Sequence, residues 1–184
     1  ASTKPFGYTP FYPGPGLGGH CIPVDPQYLA WKMKQLALDT KFINLATEIN
    51  QSMCEHVVSK VVQALNLKGK NLLGAKILVL GVAYKNDVAD IRESPGIRLI
   101  SSLMKSRALV SYHDTFVPQI RVRDKSLGSV ELTPQLLSAA DCVVITTAHS
   151  YYPIDLIVNE SSIIVDTRNA TSKYSGELGN VIKL

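Results

Sequence analysis

From Gly74 onward the chain alternates short apolar, β-branched runs with capped amphipathic segments, and this alternation narrows the possible folds more than any other feature. Runs at 76–80, 109–112, 142–146 and 162–165 read as buried parallel strands, because strands covered on both faces carry near-continuous apolar residues. Ser94 and Pro95 open a helix over 97–104, Thr133 and Pro134 open one over 135–139, and Pro153 leads into 154–158. A hydroxyl cap followed by proline suits a helix start: the hydroxyl accepts an orphan amide proton, and proline has none to leave unpaired. The order strand, helix, strand predicts an α/β domain over residues 73–184, built on a Rossmann-like, doubly wound parallel sheet.

Residues 1–72 follow another pattern. The segment to about Tyr12 holds Pro5, Gly7 and Pro10 and reads as loop. After the glycine-rich stretch 14–19, Asp25 is placed to cap a helix and Pro26 to be its first residue, with Leu29, Met33, Leu36 and Ala37 at helical spacing. In a longer helix Leu45, Ile49, Met53, Val57, Val61 and Leu65 step by four, flanked by Ala46, Val58 and Val62, until Gly69 stops it. That band is broader than the short preceding helix can cover. It predicts a helical segment whose 45–65 region either joins a second copy or is covered by the α/β domain folding back at Gly69 and Gly74.

Composition sets outer limits. With 46% apolar and 18% charged residues the chain is globular. Nineteen basic against fifteen acidic residues gives +4, scattered without a Lys/Arg run, which suits a few phosphates on a small ligand and argues against nucleic acid as partner. Cys21, Cys54 and Cys142 show no metal-ligand spacing and cannot all pair, so thiols in a reducing, cytoplasmic setting are expected, with no metal. No apolar run approaches a membrane span. The polar start at Ala1, without Met, predicts a piece of something longer.

Ligands of open parallel sheets bind beyond the carboxyl ends of the strands. That edge collects Lys85, Asp87, Asp114, His149, Asp166 and Arg168, and the cations Lys85 and Arg168 suit a diphosphate. Polar loops alone would also explain these residues. The string 14–19 satisfies GxGxxG, but neither a preceding strand nor an immediate helix frames it, so it does not predict a dinucleotide site. Cys21, ending that loop beside His20 and four residues before Asp25, is either an inert thiol or a nucleophile with a carboxylate at hand. Cys54 and Cys142 read as small core residues.

The run Phe11-Tyr12-Pro13-Gly14-Pro15-Gly16-Leu17-Gly18-Gly19-His20-Cys21-Ile22-Pro23-Val24-Asp25-Pro26 resembles the active-site loop of the UDP-glucose/GDP-mannose dehydrogenase family. The run from Gly81 through Lys85, Asp90 and Arg92 to Ser94-Pro95 resembles that family's second signature, at the start of its UDP-binding domain. The resemblance covers the whole chain. It implies the end of a central, dimerising helical region plus a UDP-binding domain, with an NAD-binding domain and further catalytic residues upstream of Ala1. The 45–65 helix matches the family's dimer helix.

The resemblance also implies a chemistry: oxidation of a sugar-nucleotide primary alcohol to a carboxylate, with NAD as acceptor. Cys21 matches the cysteine that carries the thiohemiacetal and thioester, and Asp25 the aspartate that assists water. Lys85, Arg168, Gly18 and the Phe11-Tyr12 pair match substrate contacts, and Arg92 matches an arginine that reaches the cofactor. UDP-glucose members commonly carry Ser or Tyr before the cysteine and Lys before the aspartate, where His20 and Val24 stand here. This form resembles members acting on UDP-N-acetylglucosamine or UDP-N-acetylmannosamine for surface polysaccharide synthesis. A UDP-glucose enzyme, a UDP-sugar-binding and dimerisation module, and a stand-alone thiol enzyme using Cys21 and His20 are the alternatives.

Overall fold

The computed structural model describes residues 3, 6–8 and 10–184; Pro5 of the expected N-terminal loop lies outside them. Two helices come first, α1 (Asp25–Gln35) and α2 (Lys41–Leu67). The α/β part follows as β1 (Lys76–Leu80), α3 (Pro95–Lys105), β2 (Leu109–His113), the hairpin β3 (Gln119–Val122) and β4 (Lys125–Gly128), α4 (Pro134–Ala139), β5 (Cys142–Ile145), α5 (Ile154–Glu160), β6 (Ile164–Asp166) and β7 (Val181–Lys183). The sheet runs β2-β1-β5-β6-β7, with all neighbours parallel. Strand order reverses between β1 and β5, which opens a crevice at their carboxyl ends.

The sheet is doubly wound, as the alternation predicts. Ile77 and Val79 face one side and join Leu99, Leu103, Val57 and Val61; Leu78 and Leu80 face the other and join Leu137 and Ile157. Each such aliphatic side chain, fully withdrawn from water, contributes roughly 1.5–3 kcal/mol. The caps also form as read: Ser94 Oγ accepts from the Ile97 amide and Thr133 Oγ1 from the Leu136 amide.

Several expectations are corrected. Asp25 does not cap α1; Val24 does, without a side-chain bond, and the Asp25 carboxylate instead meets His20 Nδ1 at 2.9 Å. Helix α1 stops at Gln35, and Ala37 takes a left-handed φ of 55°. The fourth predicted strand begins two residues later and ends one later, at Ile164–Asp166, the third ends at Ile145 instead of residue 146, and the second extends by one residue to His113. The 45–65 band is divided. Val57, Val61, Ala64 and Leu65 have no exposed surface and belong to the core with α3 and the sheet, whereas Leu45 and Ile49, and Phe42 just before the band, stay exposed. The fold itself therefore covers the C-terminal half of the band, where a second copy was one expected cover.

That division predicts opposite outcomes for one substitution at two places. Val61→Glu buries an unpaired carboxylate, which costs several kcal/mol, and should abolish a cooperative thermal transition. Ile49→Glu, at a site 53% exposed, should change stability by no more than about 0.5 kcal/mol. Circular dichroism melts of both variants check this.

Candidate functional site

At the carboxyl end of β1, Gly81 turns with φ 88°, and a Cβ there would fall within 2.9 Å of the Thr147 backbone nitrogen. Glycine is thus required for β1 to pass beneath the end of β5. The next amides, Val82 and Ala83, donate to Asp114 Oδ2 at 2.8 and 3.1 Å. Asp114 has no exposed surface, and its second oxygen accepts from the Phe116 amide at 3.0 Å. In a dinucleotide-binding fold the amides after the first strand meet a pyrophosphate. Here a resident carboxylate takes them, so this edge does not fit the NAD pyrophosphate.

His149, also buried, completes the group. The Asp87 amide donates to His149 Nδ1 at 2.9 Å, so that nitrogen is an acceptor and the ring proton sits on Nε2, which donates to Asp114 Oδ2 at 3.1 Å. The Asp87 carboxylate in turn accepts the Ser150 amide at 2.9 Å. Burial alone would raise the Asp114 carboxyl, but the donors from His149, Val82 and Ala83 outweigh it and hold the carboxyl below its ordinary 3.8.

Beyond β6 a second carboxylate organises a second loop. Asp166, 1% exposed, accepts from the amides of Arg168, Ala170 and Thr171 and from the Thr171 hydroxyl, at 2.7 to 3.1 Å. The turn presents Arg168 half-buried in the wall of a cavity of about 500 Å³, shared with Tyr12, Pro13, Asn86, Thr167 and Lys183. Burial pulls the Arg168 guanidinium below its usual pKa, because withdrawing a cation from water disfavours its charged form. Lys183 Nζ donates to Asn169 Oδ1 at 2.6 Å.

The glycine loop closes over both. Gly14 packs against the Arg168 guanidinium. The Leu17 amide donates to Asn50 Oδ1 of α2 at 2.6 Å, and the Leu17 carbonyl accepts from Arg98 Nη2 of α3 at 3.2 Å. A Cβ on Gly18 would come within 2.6 Å of Tyr84 Cβ and 2.9 Å of the Glu93 carbonyl, and the Gly19 amide donates to the Arg92 carbonyl at 2.8 Å. Segment 14–19 therefore lies directly on segment 84–95, so the two motifs, distant in sequence, meet in space. Cys21 is exposed in the turn that follows, closed by the Val24 amide on the His20 carbonyl at 2.9 Å. Arg92 is gripped by Asp90 through Nε at 2.9 Å and Nη2 at 2.6 Å; this raises its pKa, with Tyr84 and Cys21 adding smaller contributions.

Among the expected site residues, Tyr12 and Arg168 line the cavity, and Gly18 lies in the loop contact beside it. Cys21 lies near enough to Arg92 to act on its charge, the Arg92 carbonyl accepts the Gly19 amide, and Asp25 is paired with His20. Lys85 is exposed, with no hydrogen bond or ion pair among the described residues, and precedes the lining residue Asn86; Phe11 is exposed outside the wall. Asp114, His149 and Asp166, which the sequence offers as edge groups, tie the loops internally. Lys183 was missed: its strand is three residues long, and only register, opposite Asp166, brings it to the cavity.

Comparison with known proteins gives a consistent result. The profile for the UDP-glucose/GDP-mannose dehydrogenase family, UDP binding domain, matches residues 78–173, and that for the family's central domain matches residues 1–52. A UDP-N-acetyl-D-mannosamine dehydrogenase of Methanococcus maripaludis is 34% identical over 165 residues, which span 85% of this chain and 36% of the relative. A UDP-N-acetyl-D-glucosamine 6-dehydrogenase of Salmonella typhi is 29% identical over 152 residues, spanning 83% of this chain and 35% of the relative. The solved structure of a UDP-D-ManNAc dehydrogenase from Pyrococcus horikoshii superposes with a TM-score of 0.79 at 28% identity, over 100% of this chain and 42% of the other. The chain thus spans little more than a third of the length of the curated relatives it matches.

The buried Asp114 carboxylate yields a stability prediction. Asp114→Asn must turn an N–H toward donors, and loss of a buried acceptor costs about 1–3 kcal/mol in urea unfolding. In the unsubstituted chain the folded carboxyl titrates below its unfolded value, so its contribution is complete above pH 3.8 and is lost as pH falls through the lower, folded value. Stability measured against pH should fall along that acid limb, and Asp114→Asn should flatten the fall.

Proposed function

The chain belongs to the UDP-glucose/GDP-mannose dehydrogenase family, and from that premise we propose that it forms the UDP-sugar-binding part of a nucleotide-sugar 6-dehydrogenase. The observation that carries this reading is Arg168, held half-buried by the Asp166 turn in a cavity of about 500 Å³ and backed by Gly14 of the glycine loop. A guanidinium in such a place offers a two-pronged, charge-assisted grip on a diphosphate. Asn86 lines the cavity from the loop after β1 and Tyr12 from just before the glycine loop, and Lys85, next to Asn86, would add a second cation. Domain boundaries near residue 72, with the active-site loop and helices before it and the UDP-binding domain after it, belong to the same proposal.

The substrate we propose is a UDP-N-acetylhexosamine, oxidised at its C6 alcohol to a uronic acid for surface polysaccharide synthesis in the cytoplasm. His20 and Val24 around Cys21 support that class over UDP-glucose, and so do the names of the relatives. NAD would supply the hydride-accepting chemistry. Among the described residues only Arg92 is assigned to the cofactor, since the amides after β1 are engaged by Asp114. Cys21 Sγ would add to the C6 aldehyde, keeping the carbon on the protein as a thiohemiacetal and, once oxidised, as a thioester. Asp25 would hold the water whose oxygen displaces the thiolate, and His20 at 2.9 Å would orient the Asp25 carboxylate. Two copies would join through the exposed Phe42, Leu45 and Ile49 face of α2. A second reading, a UDP-sugar-binding module without turnover, is favoured for the chain by itself, because its sheet edge does not fit a dinucleotide.

Two measurements test the proposal. Calorimetry should show UDP binding, weakened about 10- to 100-fold by Arg168→Ala, the loss expected for one charge-assisted hydrogen-bond pair; absence of binding at millimolar UDP counts against it. In the full-length protein Cys21→Ser should nearly abolish acid formation while UDP affinity stays within about twofold, since the thiol acts on the reacting carbon and not on the nucleotide.

A further inference from the structure

The loop between β1 and α3 has no regular secondary structure across 81–93, yet its backbone is captured at defined points. Upstream, Asp114 takes the Val82 and Ala83 amides, Ser94 Oγ donates to the Val82 carbonyl at 2.6 Å, and Thr147 Oγ1 donates to the Ala83 carbonyl at 2.6 Å. Downstream, the Asp87 amide is held by His149 Nδ1. Lys85 and Asn86, exposed between these anchors, have no hydrogen bond among the described residues. His149 itself cannot shift easily. Its side chain has no exposed surface, Phe116 and Tyr151 lie 5.2 and 5.3 Å from its ring, and Nε2 is committed to Asp114.

We propose that His149 is a positioning residue for the ligand: by accepting the Asp87 amide it fixes the loop in the form that presents Lys85 and Asn86 to a bound diphosphate. This rests on the UDP-sugar reading above. A side chain that orders a binding loop in advance spares the ligand that ordering, so its loss appears as weaker binding.

The two ring nitrogens can be separated by substitution. His149→Asn keeps an acceptor near the Nδ1 place, and His149→Gln keeps a donor near the Nε2 place. The expected result is UDP affinity within about threefold of the unsubstituted chain for His149→Asn and about tenfold weaker for His149→Gln. In a background with both Lys85→Ala and Asn86→Ala the His149→Gln loss should shrink to less than about twofold, because the three residues act through one loop. A His149→Gln chain that binds UDP like the unsubstituted one, or a full tenfold loss persisting in that double-alanine background, overturns the proposal. Amide exchange on the unsubstituted chain can refute it even if the variants fail to fold. The Asp87 amide should exchange far more slowly than that of Asn86, and equal rates overturn the proposal. If the unsubstituted chain binds no UDP, the functional reading fails, and the exchange comparison still decides whether His149 anchors the loop.

Discussion

One buried carboxylate at the carboxyl edge of the sheet sets the terms for everything built there. An ion with no exposed surface is costly unless each lone pair is met, and Asp114 meets the requirement with donors from three places: the end of β1, its own loop after β2, and His149 beyond β5. The same bonds that offset its desolvation draw the ends of three strands together. They also decide what the edge can bind. Amides spent on Asp114 are not free for a pyrophosphate, and under the proposed function the ligand's charge would be met instead by Arg168 on its Asp166-built turn.

A second constraint is steric. The glycine loop lies on Tyr84, Glu93 and Arg168 at distances that leave no room for a Cβ at Gly18, and the Leu17 peptide is held from both sides by Asn50 and Arg98. Through these contacts α2 and α3 position the turn carrying Cys21. The same two helices share the core in which Val57, Val61 and Leu99 are sealed. The placement of the thiol is therefore coupled to the packing of the α/β domain, while Phe42, Leu45 and Ile49 of α2 stay outside that core.

Much of this was legible in the sequence where local chemistry decides the outcome. Ser94-Pro95 and Thr133-Pro134 cap helices because hydroxyl and ring act within one turn, and residues 76–80 and 142–145 are strands because both faces are covered. What depended on distant partners was not legible. Asp25 has cap chemistry but finds His20 instead; Val57 and Ile49 look alike in the band, yet only one meets α3. The β3–β4 hairpin carried a readable signal, Ile120 and Val122 alternating with Gln119 and Arg121, but without a glycine at its Arg123-Asp124 turn. For the proposed site, the sequence collects polar residues on one edge but does not distinguish Asp114, His149 and Asp166, which are buried and tie loops together, from Arg168, which lines the cavity.

Under the proposed function the glycine loop and the carboxyl edge of the sheet form one diphosphate site around Arg168, and a crystal structure of the chain with UDP would reveal whether they do. The diphosphate should lie within hydrogen-bond distance of the Arg168 guanidinium, in the cavity walled by Tyr12, Asn86 and Thr167. UDP seated in the cleft between α1 and α2 by Trp31, Lys34 and Asn44, with the Arg168 cavity holding none, would contradict it.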